Sequence, residues 1–97
     1  MTQMILEMPD RNIVNSIMGS LEAYKLKLQA SINFTKQKLM DFEERYGVST
    51  DYFLHKMAAE DLKGGDLEYV EWAGESKLLE RLELELQDIE RIHFELR

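Results

Sequence analysis

A chain of 97 residues with 12 basic and 19 acidic side chains, a net charge of −7 and no cysteine has room for one domain, since neither half could build a workable core. Disulfides and thiolate metal sites are excluded, and the acidic balance disfavours direct contact with a phosphate backbone. No apolar run approaches the ~20 residues of a membrane span, and residues 1–7 lack the basic start and apolar run of a signal peptide. A soluble, cytoplasmic protein is expected.

Charged residues make up 32 % of the chain and apolar ones 44 %, a mix that suits long helices with well-solvated outer faces. The charge is unevenly spread. Residues 1–46 hold six basic and six acidic groups, whereas residues 47–97 hold six basic and thirteen acidic groups. The second half therefore carries the whole excess, which favours encounter with a basic protein.

Residues 3–8 alternate weakly, with Met4, Leu6 and Met8 on one side and Ile5 on the other. Residues 1–9 are expected to be an arm or short strand, which needs a second chain to pair with or stays loose. Pro9 ends it and Asp10 can cap a helix. That first helix is expected over 10–46, a rod of about 55 Å. Asn12, Asn15, Ser16, Gly19 and Ser20 weaken its early turns, so fraying or a bend is expected near Gly19. Val14, Met18, Leu21, Leu28, Ile32, Leu39, Phe42 and Tyr46 follow a coiled-coil spacing interrupted at Lys25 and Thr35.

Gly47 supplies a left-handed stop. Ser49 can cap a short second helix over about 50–62, with Val48 stapled to Phe53 and Asp51 at the positive helix end. Phe53, Leu54 and Met57 are its expected buried face. After Lys63-Gly64-Gly65, Asp66 caps a third helix expected over 66–96. Its seam is Leu79, Leu82, Leu86, Ile89, His93 and Leu96, with Tyr69 and Trp72 near its start. Leu78, Leu84, Ile92 and Phe94 spread its apolar surface beyond one stripe.

The expected fold is all-α: two long antiparallel helices joined by a short helix, with an extended N-terminal arm and residues 10–97 as the single helical domain. A hairpin has one shared face, so the surplus apolar surface calls for another chain. A homodimer or a complex with a different protein is expected.

Phe42-Glu43-Glu44-Arg45-Tyr46-Gly47-Val48-Ser49-Thr50-Asp51-Tyr52-Phe53 fits an F-x-x-[KR]-Y-G-[MV]-S-x-x-x-F pattern. Gly65-Asp66-Leu67-Glu68-Tyr69-Val70-Glu71-Trp72 fits G-D-x-x-x-x-E-W. Over about residues 21–90 the chain thereby resembles a family of short prokaryotic proteins encoded beside small toxins and taken as type II antitoxins. The resemblance implies a module that neutralises a small basic toxin by direct contact, with no catalytic residues and no cofactor. The chain lacks the DNA-binding half of the usual antitoxin plan.

The corner aromatics Phe42, Tyr46, Tyr52, Phe53, Tyr69 and Trp72 are read first as packing, because buried aromatics usually serve a core. Tyr69 and Trp72 are the candidates for partner contact, since Tyr and Trp are enriched at interfaces. Glu68, Glu71 and Glu75 beside them, and Tyr52, complete the candidate partner-binding set. The longer acidic run, with Glu80, Glu83, Glu85, Asp88, Glu90 and Glu95, reads equally as a solvated face. The alternative to a toxin neutraliser is a homo-oligomeric helical scaffold or adaptor with no toxin partner.

Other chemistries lack their parts. Glu90-Arg91-Ile92-His93 is a Glu-x-x-His pair of the di-iron kind, but a lone motif is weak and His93 reads as a packed seam residue. His55 lies four residues after Asp51 with no serine or cysteine nucleophile nearby. Gly64 and Gly65 have no following Lys-Ser/Thr to cradle phosphate. A strand followed by a helix is the start of a ribbon-helix-helix repressor, yet its outward positions here are Gln3, Ile5 and Glu7, with no basic patch. Neither an enzyme nor a DNA-binding regulator is expected.

Overall fold

The computed structural model describes residues 3–96. The elements in chain order are strand β1 (Met4–Met8), helix α1 (Arg11–Tyr46), helix α2 (Thr50–Lys56), a single 3₁₀ turn (Ala59–Asp61), helix α3 (Gly65–Glu90) and strand β2 (Ile92–Leu96). Two long helices lie antiparallel and a short helical corner joins them, in an all-α hairpin 59 Å long and 23 Å by 18 Å across.

Local chemistry sets each helix end. The Asp10 carboxylate accepts from the Ile13 N–H at 2.9 Å and opens α1. The helix then runs 36 residues without interruption, so Gly19 does not break it. At the other end Gly47 adopts φ 67°, and its N–H closes the last turn on the Glu43 carbonyl at 2.8 Å. That left-handed backbone is one that a residue with a Cβ adopts only at a cost of about 1–2 kcal/mol. Ser49 Oγ accepts from the Tyr52 N–H at 3.1 Å to begin α2, and Glu43 reaches across the corner to accept from the Thr50 N–H at 2.6 Å.

The second helix is shorter than its expected span of 50–62. It ends at Lys56, and the Ala59–Asp61 turn follows, closed by Asp61 accepting from the Ala58 N–H at 2.8 Å. Gly64, not Asp66, caps α3. A Cβ at Gly64 would stand 2.8 Å from the Glu68 Cβ, so this position admits only glycine while Glu68 crosses it.

The core sits at the corner. Leu39, Phe42, Phe53, Leu62 and Trp72 are buried together, and Tyr46, Val48, Met57, Tyr69, Ala73 and Leu79 pack around them. Farther along, α1 buries Leu28, Ile32 and Thr35, while Leu78, Leu82, Leu86 and Ile89 of α3 remain only partly covered. Two helices cannot enclose a stripe from both sides, which is why enclosure fails where no corner helix covers it.

The C-terminal end departs from expectation. The third helix stops at Glu90 instead of continuing to 96, and β2 pairs in parallel with β1, with Met4 opposite Ile92 and Met8 opposite Leu96. Positions 93 and 96 therefore do not extend a helical seam. Ile92-His93-Phe94-Glu95-Leu96 alternates apolar and polar residues, a strand period that can compete with the helical one. The N-terminal arm supplies the missing ladder of hydrogen bonds. Its partner is the same chain, joined through an 80-residue-plus helical crossover of the kind that parallel strands require. Among the described residues no helix is long and apolar enough to cross a membrane.

Candidate protein-docking site

The aromatics around Gly47 resolve into a stack. Trp72 is 0 % exposed. Its indole lies parallel to Phe53 with centroids 3.9 Å apart, parallel to Phe42 at 5.1 Å, and within 21° of Tyr46 at 5.7 Å. The indole N–H donates to Thr50 Oγ1 at 3.0 Å, so its one polar atom is satisfied inside the fold. Tyr69 packs against Phe53 at 5.0 Å in a tilted arrangement and is partly buried.

Trp72 is thereby corrected from partner anchor to core. The indole packs on side chains of α1 and α2, and no part of it is exposed to another molecule.

Two of the three candidate glutamates also turn inward. Glu68 accepts from the Tyr46 hydroxyl, from Arg45 Nη1 at 2.5 Å and from the Gly64 N–H at 3.4 Å. Tyr46 in turn accepts from the Lys63 N–H at 3.0 Å. Glu68 is therefore a brace holding the loop before α3 against the end of α1. Glu75 pairs with Lys38 at 3.2 Å across the hairpin. Neither carboxylate is available to a partner while these bonds stand.

The remaining two candidates stay on the surface. Tyr52 is 50 % exposed on α2. Glu71 is exposed on α3 and makes no hydrogen bond or ion pair with its side chain among the described residues.

Glu71 does not stand alone. Leu67 is 84 % exposed and Val70 68 %, one helical turn apart and beside Asp66, whose carboxylate is equally unpaired among the described residues. The first turns of α3 thus present two apolar side chains flanked by two unpaired carboxylates. The helix gains nothing in its own fold from that arrangement. The sequence held the signal, because Leu67 and Val70 fall off the Tyr69, Trp72, Ser76, Leu79 line that faces α1.

A second apolar feature lies on one flank of the hairpin. Ala30, Ser31, Phe34, Thr35, Leu78 and Leu82 line an open groove between the two long helices, and Phe34 at its rim is 64 % exposed, with Lys38 Nζ 5.0 Å above its ring. The opposite flank carries the Lys36–Glu83 pair at 3.9 Å beside the exposed Met40 and Leu84.

The Glu90–His93 pair does not share a helical face, because α3 ends at Glu90 and His93 belongs to β2. His55 Nδ1 lies 2.8 Å from its own helix's Asp51 carbonyl and 3.4 Å from the Asp51 carboxylate on an exposed surface, with no nucleophile beside it.

No protein-family profile, no curated protein and no solved structure matches the chain. The residues of segments 42–53 and 65–72 have clear internal duties, since Phe42, Tyr46, Gly47, Ser49 and Phe53 build the corner and Trp72 fills it.

Proposed function

We propose that this protein is a protein-binding module of the antitoxin type, which holds a small basic partner against the first turns of α3. One observation carries the reading: the exposed pair Leu67 and Val70 beside the unpaired carboxylates of Asp66 and Glu71. The apolar pair offers area to bury, and the flanking carboxylates select a partner with lysines or arginines around an apolar patch. The charge of α3 supports the same sign of partner, with nine acidic and two basic side chains between Gly65 and Glu90.

The expectation is tested by co-expression with the product of the adjacent gene, followed by sizing of the purified material. A stable heteromer is expected, along with rescue of growth if the neighbour alone is toxic. Within that heteromer, Leu67→Asp with Val70→Asp, or Glu71→Lys alone, should dissociate the partner and leave far-UV helicity unchanged. A heteromer indifferent to all three changes refutes the docking face, and the absence of any complex refutes the antitoxin reading itself.

A further inference from the structure

We infer that the groove beside Phe34 is the seat of a second copy of this chain, and that two hairpins close face to face into an antiparallel four-helix bundle with α1 of each lying over α3 of the other.

The hairpin leaves this flank unfinished. Leu78 and Leu82 are only partly covered, and Phe34 projects beside a hollow floored by Ala30 and Ser31. A large aromatic next to a hollow lined by small residues is a shape that a two-fold copy of itself fills, because the knob of each copy enters the hole of the other.

Charge selects the second copy and its orientation. Helix α1 carries six basic and four acidic side chains, whereas α3 carries two basic and nine acidic. A two-fold axis along the hairpin puts α1 over α3 of the other copy, positive over negative. An axis across the hairpin puts α3 over α3, and like charges then oppose each other along the whole helix.

The heptad neighbours of the groove carry the same pattern. Lys27 precedes Phe34 by seven residues on α1, and Glu85 follows Leu78 by seven residues on α3. Tyr24 hydrogen-bonds Glu85 within one hairpin, so Lys27 and Glu85 stand at similar heights. The axial two-fold keeps height and swaps helices, which brings Lys27 of one copy near Glu85 of the other. An apolar centre flanked by opposite charges results, as in a four-helix bundle.

This inference is independent of the Leu67–Val70 face, which lies outside the groove. The test is the mass of the purified full-length protein by light scattering or sedimentation, across a concentration series and at low and high salt. A dimer is expected, with Phe34→Glu weakening it by roughly 30-fold or more, as for an interface anchor, while circular dichroism shows helicity retained. Lys27→Glu should weaken the dimer, and the added change Glu85→Lys should restore it.

Orientation is read by cross-linking, which the lack of native cysteine keeps clean. Mixed Ser31→Cys and Leu78→Cys proteins should form a disulfide between copies, and Ser31→Cys protein alone should not. A monomer at all concentrations overturns the inference. So does a dimer untouched by Phe34→Glu, or a strong cross-link in Ser31→Cys protein alone. Leu67→Asp should leave the dimer intact, so its failure to bind a basic partner and the failure of self-association are separate results.

Discussion

At the residue scale Trp72 decides most. Its indole is stacked on Phe53 and Phe42 and its N–H is held by Thr50, so the side chain joins α1, α2 and α3 at once. Trp72→Ala leaves a large cavity in the corner cluster and is expected to cost about 3–5 kcal/mol. An unfolding free energy lowered by that amount in chemical denaturation, with no selective effect on partner affinity once refolded protein is compared, distinguishes core from anchor. An unchanged midpoint would refute the stack.

Tyr24 makes a different residue-scale case. Its hydroxyl donates to Glu85 across the hairpin, and that bond, helped by desolvation and by the Glu85 charge, raises the phenol above its ordinary value. A raised folded-state value means that the contribution is fully present below the unfolded value of about 10 and is lost as pH rises through the folded one. Wild-type stability should therefore fall more steeply than that of Tyr24→Phe above about pH 10. Parallel stability curves for the two proteins would exclude the bond in solution.

At the element scale, the two ends of α1 and the start of α2 were legible because those caps are local. Asp10, Gly47 and Ser49 each announce themselves by residue type and need no knowledge of the fold. The end of α3 was not legible. Leu79, Leu82, Leu86 and Ile89 continue naturally into His93 and Leu96 at helical spacing, while Ile92, Phe94 and Leu96 alternate at strand spacing. Only the distant arm, at Met4–Met8, decides between them.

The candidate site followed the same rule. Exposed Glu71 was recoverable from position, but the inward turn of Glu68 and Glu75 depends on Arg45, Tyr46 and Lys38, which the fold brings from a helix away. Deleting residues 92–97 should leave the hairpin's far-UV spectrum nearly unchanged. Protection from hydrogen exchange at residues 4–8 should then disappear. Persistent protection would mean that the arm is held by something other than β2.

At the scale of the whole molecule, the interior is lopsided. Among the described residues the buried apolar side chains are Met8, Leu28, Ile32, Leu39, Phe42, Phe53, Leu62 and Trp72, and five of them form the corner cluster. The remaining length of the hairpin is held by half-covered leucines and by cross-helix pairs such as Lys38–Glu75 and Lys36–Glu83. The Lys36–Glu83 pair is exposed on both sides and contributes little, typically below about 1 kcal/mol. Stability is therefore expected to fall from the corner toward the strands, and association with another chain would level the gradient.

The parallel pairing of the two strands bears on how the chain reaches this state. Contacts such as Thr50 with Trp72 close a loop of some twenty residues, whereas Met4 meets Ile92 only after nearly the whole chain has been gathered. Loop closure becomes less favourable with length, and an open pair of chain ends has no local contact to hold it. The corner is the natural nucleus. The helices then zip outward from it, and the ribbon of β1 and β2 is the last piece to form and the first to come undone.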